Sequence, residues 1–136
     1  MKRFMIFSVL FVIAFNALAW GPKGHRIVAQ VAYDHLDNKA RKHVDAVLGK
    51  HGMIYLSTWP DEIKSDTIYP QSHDWHYQDL DGGLSDEQVV ATLTQYPQVG
   101  GNLFRALDSL ALLLQHQPTN HDALAFYVHL VADRYC

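Results

Sequence analysis

His129 and Asp133 stand four residues apart in a stretch, Ala123 to Ala132, that is otherwise almost wholly apolar. On a helix this spacing puts the two side chains on one face, one about 6 Å above the other along the axis. A helix that is apolar all round is buried, and a buried imidazole and carboxylate need partners or a metal ion. The spacing leaves two readings open: a pair of metal ligands, or a His–Asp hydrogen bond that only orders the core.

Three other segments carry similar chemistry. In Trp59-Pro60-Asp61-Glu62-Ile63-Lys64, Pro60 presets a helix start and Asp61 sits where a carboxylate either caps the helix or binds a cation. Lys64 follows three residues later on the same side. Trp75-His76-Tyr77-Gln78-Asp79 places a histidine between two rings, in a region with the marks of a loop. The third segment depends on processing. Lys2 and Arg3, an apolar run from Phe4 to Phe15 and the small residues Ala17 and Ala19 compose a secretory leader over residues 1–19. The run is shorter than the roughly 20 apolar residues of a membrane span. Cleavage after Ala19 predicts a secreted or periplasmic chain with no membrane span, starting at Trp20. Its new α-amino group, with an ordinary pKa of about 7.7–8.0, readily gives up a proton to a metal. The Trp20 amine and carbonyl oxygen can chelate one ion, and the flexible Gly21-Pro22-Lys23-Gly24 lets His25 reach the same ion. Alternatively, Trp20 packs on the surface and His25 only begins a helix.

Composition narrows the field. Of 136 residues, 49% are apolar and 18% charged, which excludes a disordered or low-complexity chain. The single cysteine, Cys136, excludes a disulfide framework and a cysteine-based zinc finger. Histidine is over-represented, with nine against eleven Lys plus Arg. The formal charge of −3 argues against nucleic-acid binding through a basic surface alone. Removing the leader takes away Lys2 and Arg3 and no acid, so an anionic substrate must find its positive charge somewhere other than in side chains. Together Trp20, His25, Asp61, His76, His129 and Asp133 offer an amine, three imidazoles and two carboxylates, a set that zinc accepts. No feature points to a protein partner.

The elements that must position these groups read as helices. Ile27/Val28, Val31/Ala32 and Leu36 recur at helical spacing to about His35. Asp37 or Asn38 can cap a second helix carrying Ala40, Val44, Val47 and Leu48 on one face, which Gly49 ends. Residues 53–83 show no sustained period and are expected to be loop, with one short helix after Pro60. Ser85-Asp86-Glu87-Gln88 fits a capping box. Gly100 and Gly101 punctuate, and Leu103, Ala106, Leu107, Leu110, Leu113 and Leu114 then form the clearest amphipathic stripe. Pro118-Thr119-Asn120 turns the chain into a last helix from about His121. With no strand pattern, repeat or linker, the reading is one all-α multi-helix domain over residues 20–136.

In order and spacing, Trp20-Gly-x-x-Gly-His25, Trp59-Pro-Asp-x-x-Lys64, His76-Tyr-x-Asp79 and Leu124-Ala-Phe-Tyr-Val-His-Leu-Val-Ala-Asp133 resemble the zinc-dependent single-strand nucleases of the S-one/P-one family. That family shares its fold with bacterial zinc phospholipase C. The resemblance implies a zinc-dependent endonuclease and 3′-nucleotidase, acting on single-stranded DNA and RNA to give 5′-phosphorylated products. It implies one zinc site of Asp61, His76, His129 and Asp133, and another of Trp20, His25 and a shared Asp133, with a zinc-activated water attacking phosphorus. It also implies catalytic roles for Asp61 and for Lys64, which steadies the phosphate. Tyr77 falls on the position that stacks a nucleobase and Asp79 on the carboxylate that hydrogen-bonds its edge.

The family pattern continues past the helical aspartate as Asp-x-His-Gln-Pro-Leu-His, whereas Asp133 is followed by Arg134-Tyr135-Cys136. The resemblance therefore implies the N-terminal part of such a domain, without the ligands of a third zinc. Its apolar last helix is expected to lie uncovered, leaving the chain poorly soluble or inactive. Two other functions stay in view: a phospholipase C-like zinc hydrolase and a non-catalytic metal-binding helical domain.

Overall fold

The computed structural model describes residues 21–95 and 103–135. The predicted leader, Trp20, Gly100, Gly101 and Cys136 lie outside the described residues. Seven α-helices occur among those described: α1 (Pro22–His35), α2 (Asn38–Leu48), α3 (Gly52–Tyr55), α4 (Trp59–Ile63), α5 (Asp86–Gln95), α6 (Leu103–His116) and α7 (His121–Asp133). Two 3-10 segments, Leu56–Thr58 and Pro70–His76, complete the element order, and the described residues contain no strand. No described helix is long and apolar enough to cross a membrane.

The helix ends follow the local chemistry of the sequence. Asp37 caps α2, its carboxylate accepting from the Ala40 amide at 2.7 Å, and Gly49 ends that helix at φ 82°, where a side chain is disfavoured. Both halves of the capping box form at α5: the Ser85 amide donates to Gln88 Oε1 at 2.8 Å and the Gln88 amide to Ser85 Oγ at 3.4 Å. Asn120 caps α7 through the Ala123 amide at 3.0 Å. Such caps satisfy amides that a helix cannot bond internally, so they depend on only a few neighbouring residues.

Two expectations need correction, and one helix turns an unforeseen face inward. Residues 53–76 hold α3, α4 and both 3-10 segments, not one short helix in a loop. Each piece spans seven residues or fewer, too short for an apolar period to show, and is held by packing on neighbouring helices. On α1 the buried residues are His25, Ala29 and Tyr33, while Ile27 and Val31 are 64% and 54% exposed. Nor does the last helix lie bare: Ala125, His129 and Leu130 of α7 are 0% exposed. Helices α1, α2, α4 and α6 and the two 3-10 segments all pack on α7, which makes it the centre of the described molecule.

Two apolar clusters meet at α7. In one, Phe126 takes edge-on contacts from Trp59, Tyr69 and Trp75, with ring centroids 5.2–5.3 Å away, above the buried Leu103, Leu107, Leu110 and Leu130. The other gathers Tyr33, Leu48, Met53 and Ala125. There the Tyr33 hydroxyl donates to the Asp45 carboxylate, 3.0 Å from each oxygen, and ties α1 to α2.

Candidate metal centre

Four elements each deliver polar side chains to one point. His25 lies in the first turn of α1, started by Pro22. Asp61 lies in the first turn of α4, where Pro60 again presets the helix, and Lys64 is its C-cap. His76 ends the second 3-10 segment, and His129 and Asp133 occupy the last turns of α7.

His76 Nδ1 and His129 Nε2 approach the same Asp133 oxygen, Oδ2, at 3.0 and 3.1 Å, and each other at 3.0 Å. His25 Nε2 lies 3.4 Å from Asp133 Oδ1 and 3.8 Å from Asp61 Oδ2. Asp61 Oδ1 is 3.7 Å from His76 Nδ1 and 3.9 Å from His129 Nε2. The His25 ring stacks on His129, centroids 4.1 Å apart and planes 16° from parallel. Two overlapping trios therefore present ligand atoms within 4.8 Å of one another: His25, His129 and Asp133, and Asp61, His76 and His129.

The tautomer of His129 decides what such a cluster can hold. Its Nδ1 lies 2.6 Å from the Ser57 carbonyl oxygen. A carbonyl only accepts, so Nδ1 carries the proton, and Nε2 of the neutral ring aims a lone pair at a carboxylate and a second imidazole nitrogen. Acceptors crowded at 3 Å repel unless a proton or a cation lies among them. Protons can serve only in part. Burial opposes the charged form of His129, but its bond to Asp133 and the carboxylate charges outweigh this and raise its pKa above the ordinary 6.5. Burial alone would raise the pKa of Asp133, yet bonds from His129 and His76 hold it far below the carboxylate range. For His25, burial and then the charge of His129 push the pKa down, so its lone pair stays bare near neutral pH. A divalent cation at either trio would satisfy the inward-facing atoms that protons leave bare, and imidazoles with carboxylates suit zinc. Outer support is uneven: His25 Nδ1 and His76 Nε2 are buried without a hydrogen-bond partner among the described residues, so only His129 has its orientation set by a partner outside the cluster.

The remaining sequence candidates divide. Lys64 Nζ lies 3.5 Å from Asp61 Oδ1, half exposed at the edge of the cluster. A groove of about 400 Å³ opens beside His76 and Asp133, and Tyr77 lines it. The Tyr77 hydroxyl donates to Asp74 at 3.1 Å, and its carbonyl accepts from the Leu103 amide at 3.1 Å, which fixes this loop to α6. Asp79 is exposed and lies outside the lining of the groove. Trp20 lies outside the described residues. Sequence reasoning missed Ser57, which acts through a carbonyl that every residue type has, and Asp74, whose partner Tyr77 gave the only local signal. It also missed Phe104 and Arg134, which line the groove.

In comparisons with known proteins, the S1/P1 nuclease family model matches residues 20–135. A search of curated proteins and a search of solved structures each found no match.

Proposed function

The chain belongs to the S1/P1 nuclease family, and from that premise we propose that its His–Asp cluster holds zinc and hydrolyses phosphodiester bonds of single-stranded DNA and RNA. The proposal extends to 3′-nucleotidase activity, to 5′-phosphorylated cleavage products, and to secretion with removal of residues 1–19. The observation that supports the zinc reading most is the Ser57–His129 bond, which leaves His129 Nε2 as a lone pair among carboxylates. Zinc, when bound, supplies Lewis acidity to the phosphate and lowers the pKa of water towards about 7.

The protein's own groups do the rest. Asp61, His76, His129 and Asp133 would hold one zinc, and His25, the shared Asp133 and, once the leader is cut, the Trp20 amine and carbonyl would hold a second. The two carboxylates would offset only part of the charge of two such ions, so the loaded site still attracts a phosphodiester without trapping the product. Lys64, paired to Asp61 and half exposed, can swing its ammonium to a phosphate oxygen. The Tyr77 ring, tethered by Asp74, offers a flat apolar face beside the site. Stacking on such a face tolerates any base and requires an unpaired one, which suits single strands. Asp79, exposed two residues on, accepts from the edge of the stacked base.

The test is metal analysis of the purified, leader-free chain, with cleavage assays on a labelled single-stranded oligonucleotide, its duplex and phosphatidylcholine vesicles. The expected result is zinc uptake and preferential cleavage of the single strand, both lost in Asp133→Asn while circular dichroism shows helices retained. A helical wild type that takes up no zinc overturns the reading, and cleavage of the lipid alone replaces it with the phospholipase C-like one.

A further inference from the structure

The groove beside His76 and Asp133 contains a feature that the family motifs do not explain. Its wall includes Arg134, the residue after the cluster's central carboxylate and the C-cap of α7. The guanidinium sits 5.3 Å from the Phe104 ring centroid and 5.8 Å from that of Tyr135, and Phe104 also lines the groove. Among the described residues Arg134 makes no ion pair. Lys64 differs in this respect, because part of its charge is neutralised by Asp61. Arginine held on an aromatic face keeps its N–H edges available in a fixed fork that matches phosphate oxygens. The groove's other ionisable lining groups are His76, Tyr77 and Asp133, so among the described residues Arg134 is the only lasting positive charge on its wall.

We infer that Arg134, seated on Phe104, is a phosphate-positioning residue of the groove and holds a backbone phosphate next to the one being cleaved. Its aromatic seat and Tyr77 both line one nucleotide-sized groove, so two rings and a guanidinium fit a short run of single strand: stacked bases joined by a gripped phosphate. This inference rests on the nuclease reading above.

The test uses the zinc-loaded, leader-free protein and a labelled oligothymidylate, with kcat and KM followed across a salt series in wild type, Arg134→Gln and Arg134→Lys. Losing one charge-assisted phosphate contact raises KM about tenfold. It also makes the dependence of log(kcat/KM) on log salt shallower by about 0.7, the single-strand value for one phosphate. A smaller change in kcat is expected. R134K restores the salt slope, because the charge is back, but only part of the KM, because the fork is not. A purely structural Arg–Phe contact would lower Tm and leave the salt slope alone. Wild-type KM and slope in R134Q overturn the inference and leave the nuclease reading standing. A zinc-loaded wild type that cleaves no oligonucleotide overturns both. If R134Q fails to fold, R134K decides: a KM equal to wild type overturns the inference.

Discussion

Helix α7 presents two kinds of interior a few ångströms apart. Around Phe126 and Leu130, apolar groups are buried against apolar groups, with three aromatic rings set edge-on to a fourth. Around His129 and Asp133, the imidazole of His129 is as deeply buried, while His76, Asp61 and Asp133 are part-exposed, and these groups face each other at 3.0–3.9 Å. The first region is complete as it stands: its stabilisation comes from area removed from water and is nearly indifferent to pH or metal. The second has more acceptors than protons, and the proposed cation would complete it. The proposed site lies where the interior is left incomplete, one helical turn from where it is finished.

The contrast can be broken or sharpened in four ways. The largest effect is expected at the apolar end: Phe126→Ala should lower unfolding free energy by about 3–5 kcal/mol, measured by urea denaturation. Because that loss lies in packing, it should be similar with zinc or with a chelator. A penalty that vanishes on adding zinc would mean that the two regions are not independent. Next, at the polar end, zinc at a hundred times its Kd should stabilise the wild type by about 2.7 kcal/mol. In Asp133→Asn that gain should disappear, and Tm scans with and without metal check it.

Asn120→Ala removes the side chain that caps the Ala123 amide and should cost about 1 kcal/mol. Zinc uptake should be unchanged, because the cap lies at the far end of α7 from the cluster; reduced uptake would show that the helix transmits strain along its length. The smallest effect is the pH dependence of the metal-free protein near neutrality, because two histidines pull in opposite directions. His129 has a raised pKa, so its contribution is full below pH 6.5 and lost as pH climbs through the folded value. His25 has a lowered pKa, so its contribution is present above pH 6.5 and lost as pH falls towards the folded value. Stability of the metal-free protein should therefore crest near the ordinary histidine pKa. The depressed Asp133 adds a steeper loss in acid, below its ordinary 3.8. Zinc should abolish the decline on the alkaline side, and a decline that persists with zinc bound would place the metal elsewhere.

Much of the fold was legible in the sequence wherever the cause was local. Leu103, Ala106, Leu107 and Leu110 mark the inner face of α6 by spacing alone, and all four are buried. The caps at Asp37, Ser85 and Asn120 follow from residue type, because the amides they satisfy lie within three positions. Helix α1 was legible as a helix to His35, but the face it turns inward was not. Its β-branched residues Ile27 and Val31 suggest the inner face, but His25 and Tyr33 need partners on α7 and α2, and these rotate the helix so that the aliphatic pair faces outward.

The candidate site shows the same division. By itself the sequence determined the chemical inventory: three imidazoles and two carboxylates, with His129 and Asp133 bound to share a helical face because 3.6 residues make a turn. It also determined that these two sit in an apolar helix, where the cost of bare polar groups demands partners. Only the tertiary structure decided that His25, Asp61 and His76, as far as 108 residues from Asp133 along the chain, meet that helix within 4 Å. It alone decided that the Ser57 carbonyl sets the His129 tautomer and that Arg134 faces the same groove. The physical reason is range. Caps and periodicity act within a turn or two, whereas the proton on one histidine depends on whichever distant backbone oxygen the packing brings to it.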